Sequence, residues 1–165
     1  MRYLVVCSYF GHPYYGWQKQ SDVKTIQGEI EAVLSRYFND KITIHGSGRT
    51  DAKVHAIGQT FHFDAPKVNQ KSLLYALNKM LSSDIKLLKI KTVSDQFHAR
   101  YDVKEKVYRY GIVLSDKEPF LTQTRLVYPY PFDLAKFKQA LDLFSGRHDF
   151  RSFTSKPSDE EKFVR

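Results

Sequence analysis

The switching of hydrophobic period along the first ninety residues constrains the fold of this chain more than any other feature. Met1-Arg2-Tyr3-Leu4-Val5-Val6-Cys7 has the composition of a first strand, and a loop punctuated by Gly11, Pro13 and Gly16 follows. Thr25 then stands as the N-cap of a helix in which Ile26, Ile30, Val33, Leu34, Tyr37 and Phe38 recur at helical offsets. The period returns to two over Ile42-Thr43-Ile44-His45, and again over Gln59-Thr60-Phe61-His62-Phe63, where polar and aromatic residues alternate as in a half-buried strand. Ser72 opens a second amphipathic segment with Leu73, Leu74, Leu77, Met80 and Leu81 on one side, and Ile85 to Val93 forms a further strand. The order is β-α-β-β-α-β, a ferredoxin-like half in which helices cover one face of an antiparallel sheet.

A second half begins close behind the first. The expected division is an N-terminal ferredoxin-like half over 1–105 and an incomplete C-terminal half over 106–165. In the latter, Val107 to Leu114 and Arg125 to Tyr128 are strand candidates. Asp133 caps a helix carrying Leu134, Phe137, Leu141 and Phe144, which Gly146 terminates. His148 to Phe153 follows, then a polar stretch from Lys156 to Lys162, and Lys162 to Arg165 has the character of a strand just beginning. A half equivalent to the first needs another helix and strand. The fold class expected is α+β, an antiparallel sheet with helices on one face, built as two ferredoxin-like halves with the second incomplete.

At 165 residues, 42% of them hydrophobic and 15% aromatic, the chain can bury a core. No apolar run approaches the roughly 20 residues of a spanning helix. The N-terminus lacks the apolar region and cleavage site of a secretory signal. The single cysteine, Cys7, can form neither an intrachain disulfide nor a cysteine metal cluster. A cytoplasmic protein with no membrane partner is expected. His45, His55, His62 and His98 lack the spacing of zinc ligands, so no metal is expected either. Lys and Arg outnumber Asp and Glu by 26 to 18, for a net charge of +8. Cations for phosphates and rings for unstacked bases suit a nucleic acid. A lysine-rich surface without a partner accounts for the charge equally well.

The segment Gly48-Arg49-Thr50-Asp51-Ala52-Lys53-Val54-His55-Ala56 lies in a short loop between two of these strands. A carboxylate held by a neighbouring guanidinium has a fixed direction, which suits a nucleophile or a general base. The same pattern is also that of a turn carrying a surface ion pair, and adjacency in sequence does not establish the pairing.

Four motifs, taken together, resemble the bacterial tRNA pseudouridine synthase A family. The first is Tyr9-x-Gly11-x-x-Tyr14-x-Gly16-Trp17-Gln18-x-Gln20, and the second is Gly48-Arg49-Thr50-Asp51-Ala52 with Val54-His55-Ala56. The third is Phe97-His98-Ala99-Arg100, continuing to Lys106-x-Tyr108-x-Tyr110, and the fourth is Gly146-x-His148-Asp149-Phe150-x-Ser152-Phe153. The resemblance implies two ferredoxin-like halves flanking a cleft, and an isomerase acting on uridines of the tRNA anticodon stem-loop. The bond from ribose to base nitrogen is broken, the uracil rotates, and the ring is rejoined through carbon, with no cofactor. By motif position Asp51 is the nucleophile toward a flipped uridine. Tyr108 is the active-site tyrosine that stacks on the extruded base, and Arg49 steers RNA or helps splay the target. Lys53, His55, Arg100 and Arg109 are candidate RNA contacts, with His55 also suited to organising the loop. Trp17 fits a core plug better than a stacking platform, and Lys19, Lys24, Lys104 and Lys106 are each candidate phosphate contacts or solvated charges.

The resemblance also implies a homodimer with tRNA lying across two subunits. Two departures from the family stand out. Lys53 occupies a position where the family usually has glycine, which costs on the order of a kcal/mol if the backbone there has positive φ. Family members also continue past a point like Arg165, into a segment that supplies a further active-site arginine, so the chain resembles a family member truncated at the C-terminus. An RNA-binding module without catalysis, built on the same scaffold, is the alternative. An RNA-recognition-motif protein fits less well, because Lys106-Val107-Tyr108-Arg109-Tyr110-Gly111 lacks that family's glycine offsets.

Overall fold

In the computed structural model, which describes residues 1–115, 118–153, 163 and 164, the chain divides into two compact units, Met1–Arg109 and Tyr110–Arg165. The first unit holds β1 (Arg2–Tyr9), α1 (Ile26–Phe38), β2 (His45–Gly46), β3 (Ala56–Asp64), α2 (Gln70–Met80) and β4 (Ile85–Val93). Its sheet has the order β2-β3-β1-β4 with every neighbouring pair antiparallel, the ferredoxin-like arrangement that the periodicity predicts. Alternation along β1 sends Tyr3, Val5, Cys7 and Tyr9 into the core, in register with Phe63, Phe61 and, on β4, Ile90, Leu87 and Ile85. Ile26, Ile30 and Leu34 of α1 and Leu73 and Leu77 of α2 close that face. Neither α1 nor α2 covers the opposite face.

Local chemistry explains where the elements begin and end. The Thr25 hydroxyl accepts from the Gly28 amide at 3.2 Å and starts α1, and Asn39 closes the helix in a left-handed conformation that Asn tolerates well. The second helix starts earlier than Ser72. Asn69 is the cap, its side-chain oxygen accepting from the amides of Lys71 and Ser72, which puts Ser72 in the first turn. The Ile42–His45 strand is shorter than its pattern suggests, because only His45 and Gly46 pair with β3. The amide of Ile42 donates to Ser35 Oγ at 3.0 Å and that of Ile44 to Glu31 Oε1 at 3.1 Å. Helix α1 thus takes the donors that a ladder needs.

The second unit contains β5 (Ile112–Val113) and β6 (Leu126–Val127), paired in parallel, then α3 (Leu134–Asp142) and a 3₁₀ turn at Arg151–Phe153. Asp133 caps α3 as its sequence suggests, accepting from the Lys136 amide at 3.0 Å. Gly146 does not end the helix. The last helical residue is Asp142, and Gly146, at φ +96°, lies in the turn beyond it. The extended Val107–Leu114 strand reduces to Ile112–Val113, since residues 103–110 are largely exposed and no strand pairs with them among the described residues. Val164 bridges Asp149. Lys162 and Arg165 of the expected last strand, and the 156–162 stretch, lie outside the described residues. Among the described residues, no helix is long and apolar enough to cross a membrane.

Candidate active site and nucleic-acid interface

The Asp51 loop is held against the β1–α1 loop by backbone contacts that require two glycines. Gly16 has φ +89°, and a Cβ there would lie 2.7 Å from the Thr50 carbonyl oxygen and 3.2 Å from the Asp51 carbonyl carbon. A Cβ on Gly11 would collide with the Val54 carbonyl. The two strands of loop are stitched by the Trp17 amide to Thr50 O at 3.0 Å and the Lys53 amide to Tyr14 O at 3.2 Å. Tyr9 shares a 2.9 Å hydrogen bond with the Thr50 hydroxyl, and burial pushes its phenol up to about 12, leaving it a neutral hydrogen-bonding group. Gln59 of β3 braces the loop's start, accepting from Ser47 Oγ and donating to Gly48 O, both at 2.9 Å. Trp17 is 2% exposed and packs near Tyr9 and Phe61, a core residue under the loop.

These contacts leave Asp51 exposed at the apex of a turn closed by the Val54 amide on its own carbonyl at 3.2 Å. Among the described residues its carboxylate forms no ion pair or hydrogen bond with Arg49, so backbone packing rather than the neighbouring guanidinium positions it. Lys53 has φ +67°, the left-handed region, and its side chain is exposed. The His55 ring accepts at Nδ1 from the Gly11 amide at 3.1 Å and lies 4.7 Å from the Phe10 ring, tying the two loops together.

Beside this loop, along the β2 margin, runs a groove of about 590 Å³. Arg49, Arg100 and Lys106 supply its cations, and His45, His98 and Tyr101 supply rings, over a floor that includes Trp17 and Ile44. Lys106 reaches over the loop's first residue, its Nζ 3.3 Å from where a Cβ on Gly48 would sit. Asp51 is not in the wall, although Arg49, two residues away, is. The third-motif segment is brought there by β3 and β1. The buried His62 accepts at Nδ1 from the Ala99 amide at 3.1 Å, and Arg2 donates to the carbonyls of Asp95 and Phe97 while its other nitrogens clasp Asp64. Asp102 accepts from the His98 amide at 2.7 Å and closes the 98–102 turn.

His45, His62 and His98 form a ring cluster, with centroids 4.9 Å apart for His45–His62 and 4.7 Å for His62–His98. Burial, reinforced by His45, Arg2 and His98, lowers the His62 imidazole to about 4, so it stays neutral and keeps Nδ1 as an acceptor. Among the described residues, no group of three or more His, Cys, Asp or Glu side chains is placed to hold a metal ion. The sequence pattern puts His62 on the polar side of a half-buried strand, whereas it is buried because the 97–101 segment covers that side. Its register opposite His45 across the β2–β3 pairing is the signal that connects the two.

Tyr108 is 69% exposed and outside any strand, and it does not line the groove. Arg109 is likewise exposed, and among the described residues neither side chain forms an ion pair or hydrogen bond. Two of the candidate phosphate contacts are already engaged. Lys19 pairs with the buried Glu31 at 3.0 Å, within a network that includes Gln27 and the Ile44 backbone, and Lys24 sits 4.8 Å over the Tyr14 ring.

Residues 5–102 match the family described as tRNA pseudouridine synthase. The chain is 37% identical to the tRNA pseudouridine synthase A of Streptococcus gordonii over 167 residues, covering 99% of this chain and 67% of that protein. It is 40% identical to that of Bacillus licheniformis, covering 100% of this chain and 68% of the relative, and 38% identical to that of Streptococcus suis, covering 99% and 67%. The matched span contains the glycine-braced loop, the Asp51 turn and the segment that walls the groove. The chain thus belongs to the tRNA pseudouridine synthase family, a family of isomerases.

Proposed function

We propose that the chain isomerises uridine to pseudouridine in the anticodon stem-loop of tRNA, with Asp51 as the nucleophile. What carries the reading is the loop geometry: two close-packed glycines set the backbone at residues 50–54, and the carboxylate at the apex is exposed and unencumbered beside a cationic, ring-lined groove. The groove's cations draw in the RNA backbone, and its rings offer stacking surfaces to bases pulled out of the helix. The target uridine flips toward Asp51. The carboxylate attacks an electrophilic carbon of the nucleotide, and the N1–C1′ bond breaks. After the uracil turns, C5 bonds to C1′, the bond from Asp51 to the nucleotide breaks and returns the free carboxylate, the C5 proton leaves and N1 is protonated, so atoms balance without a co-reactant. Tyr108 stacks on the flipped ring and assists that proton transfer, Arg49 helps splay the strand, and Arg100, Lys53, His55 and Arg109 serve RNA binding or loop order. The working form is a homodimer.

Asp51→Ala tests the assignment. Pseudouridine formation in an anticodon stem-loop RNA, read by mass spectrometry after pseudouridine-specific labelling, is expected to vanish while RNA affinity changes less than about threefold. Undiminished turnover refutes the nucleophile. Salt-sensitive RNA binding by the wild-type chain without product makes it a binding module instead.

A further inference from the structure

The face of the first unit's sheet opposite α1 and α2 has cations at both margins. At the β2 margin is the groove with Arg49, Arg100 and Lys106. At the other margin β4 is an edge strand, and its register with β1 sets Lys86 beside Ser8, Lys89 beside Val6 and Lys91 beside Leu4. Those β1 residues alternate with the core residues Tyr3, Val5, Cys7 and Tyr9, so the register sets all three lysines on the face opposite α1 and α2, with Lys86 also lining a groove beside Leu74 and Tyr75 of α2, and all three are exposed. The register shift between Val6 and Cys7 keeps Lys86 and Lys89 on one side despite their odd spacing. None of the three forms an ion pair among the described residues, and Asp64, the acid that the register brings to this face, is clasped by Arg2 at 2.7 Å. Between the margins lie half-buried Leu4, Val6, Ser8 and Thr60, while His62 on the same face lies under the 97–101 segment and Arg2 reaches across to Asp64 and the Asp95 and Phe97 carbonyls. Three strand spacings separate the margins, roughly 14 Å.

We propose that this face is a docking surface for the sugar-phosphate backbone of an RNA stem, with the lysine row on β4 holding the stem while the stem's loop enters the groove at β2. The inference rests on the RNA-modifying reading above. Unpaired positive charge at a distance set by the sheet fits a polyanion whose phosphates continue beyond the groove, and phosphate contacts of this kind position an RNA without reading its sequence. The competing role of such lysines is to protect an edge strand from pairing with another chain.

The test compares two RNAs, an anticodon-arm hairpin and the single-stranded loop alone, binding to the full 165-residue chain over a salt series. The triple variant Lys86→Gln, Lys89→Gln, Lys91→Gln is expected to weaken hairpin binding on the order of tenfold and to make its salt slope shallower by about 2 to 3, with loop-only binding unchanged. Each single Lys→Gln lowers the slope by about 0.7–0.9, which keeps the proposal testable if the triple variant folds poorly. Arg100→Gln weakens both RNAs. Equal losses for the two RNAs, or an unchanged hairpin slope with new self-association by light scattering, overturns the lysine row as an RNA surface and leaves the function above standing. Failure of the wild-type chain to bind either RNA removes both.

Discussion

Acidification should loosen the first unit through one buried ring. His62 is 2% exposed and faces the rings of His45 and His98, with the Arg2 guanidinium also disfavouring its charged form and, among the described residues, Asp64 the one charge that opposes them. Its imidazole is lowered from an ordinary 6.5 to about 4 in the folded chain. Between those values the unfolded chain holds a proton that the folded chain does not. Stability is therefore complete above about pH 6.5 and is lost as pH falls toward 4. A shift of this size corresponds to about 3 kcal/mol at full expression, and to about 2 kcal/mol by pH 5. Protonation also removes the lone pair that accepts from the Ala99 amide, so the segment bearing Arg100 and Tyr101 loosens with it. The assay is urea unfolding at pH 7, 6 and 5 followed by fluorescence of Trp17, the single tryptophan, which lies buried in the first unit. His62→Asn keeps a short acceptor and does not titrate, so its stability should fall by about 2 kcal/mol less than the wild type's between pH 7 and 5. Parallel losses in the two proteins would refute the reasoning.

Gly16→Ala forces a side chain onto the Thr50 carbonyl at positive φ, and should cost about 1–3 kcal/mol and reduce pseudouridine formation more than RNA affinity, measured in parallel. Lys53→Gly relieves a left-handed lysine and should raise stability by up to about 1 kcal/mol in the same urea assay; a loss means the lysine side chain is engaged. Cys7 is fully buried and its thiol is pushed up to about 12 by burial, so a thiol reagent at neutral pH should label the native chain only at the rate of unfolding.

The legible parts of this molecule are those that local chemistry controls. Thr25 and Asp133 cap the helices their positions suggest, and Ile85–Val93 has the bounds its pattern implies. The misread parts each lost a competition for backbone groups. Ser35 and Glu31 take the amides of Ile42 and Ile44 from the sheet, Asn69 outreaches Ser72 as a cap, and among the described residues none completes a ladder with 103–110. In the candidate site, Asp51 and Arg49 stand out in the sequence through their motif, but the pairing that their adjacency suggests is not formed. His98 reaches the groove as part of the third motif, whereas no sequence pattern announces His45 there.

The sequence by itself determined the succession of elements, the α+β class and the identity of the acid at the loop's apex, because periodicity, caps and motif residues act over a few positions. Only the tertiary structure decided what surrounds that acid. Backbone contacts at Gly11 and Gly16 hold the turn, and a buried neutral His62 draws the third motif over the sheet. Sheet register gathers the lysines of β4 onto one face. Each of these joins residues dozens of positions apart, where spacing along the chain carries no information about distance in space.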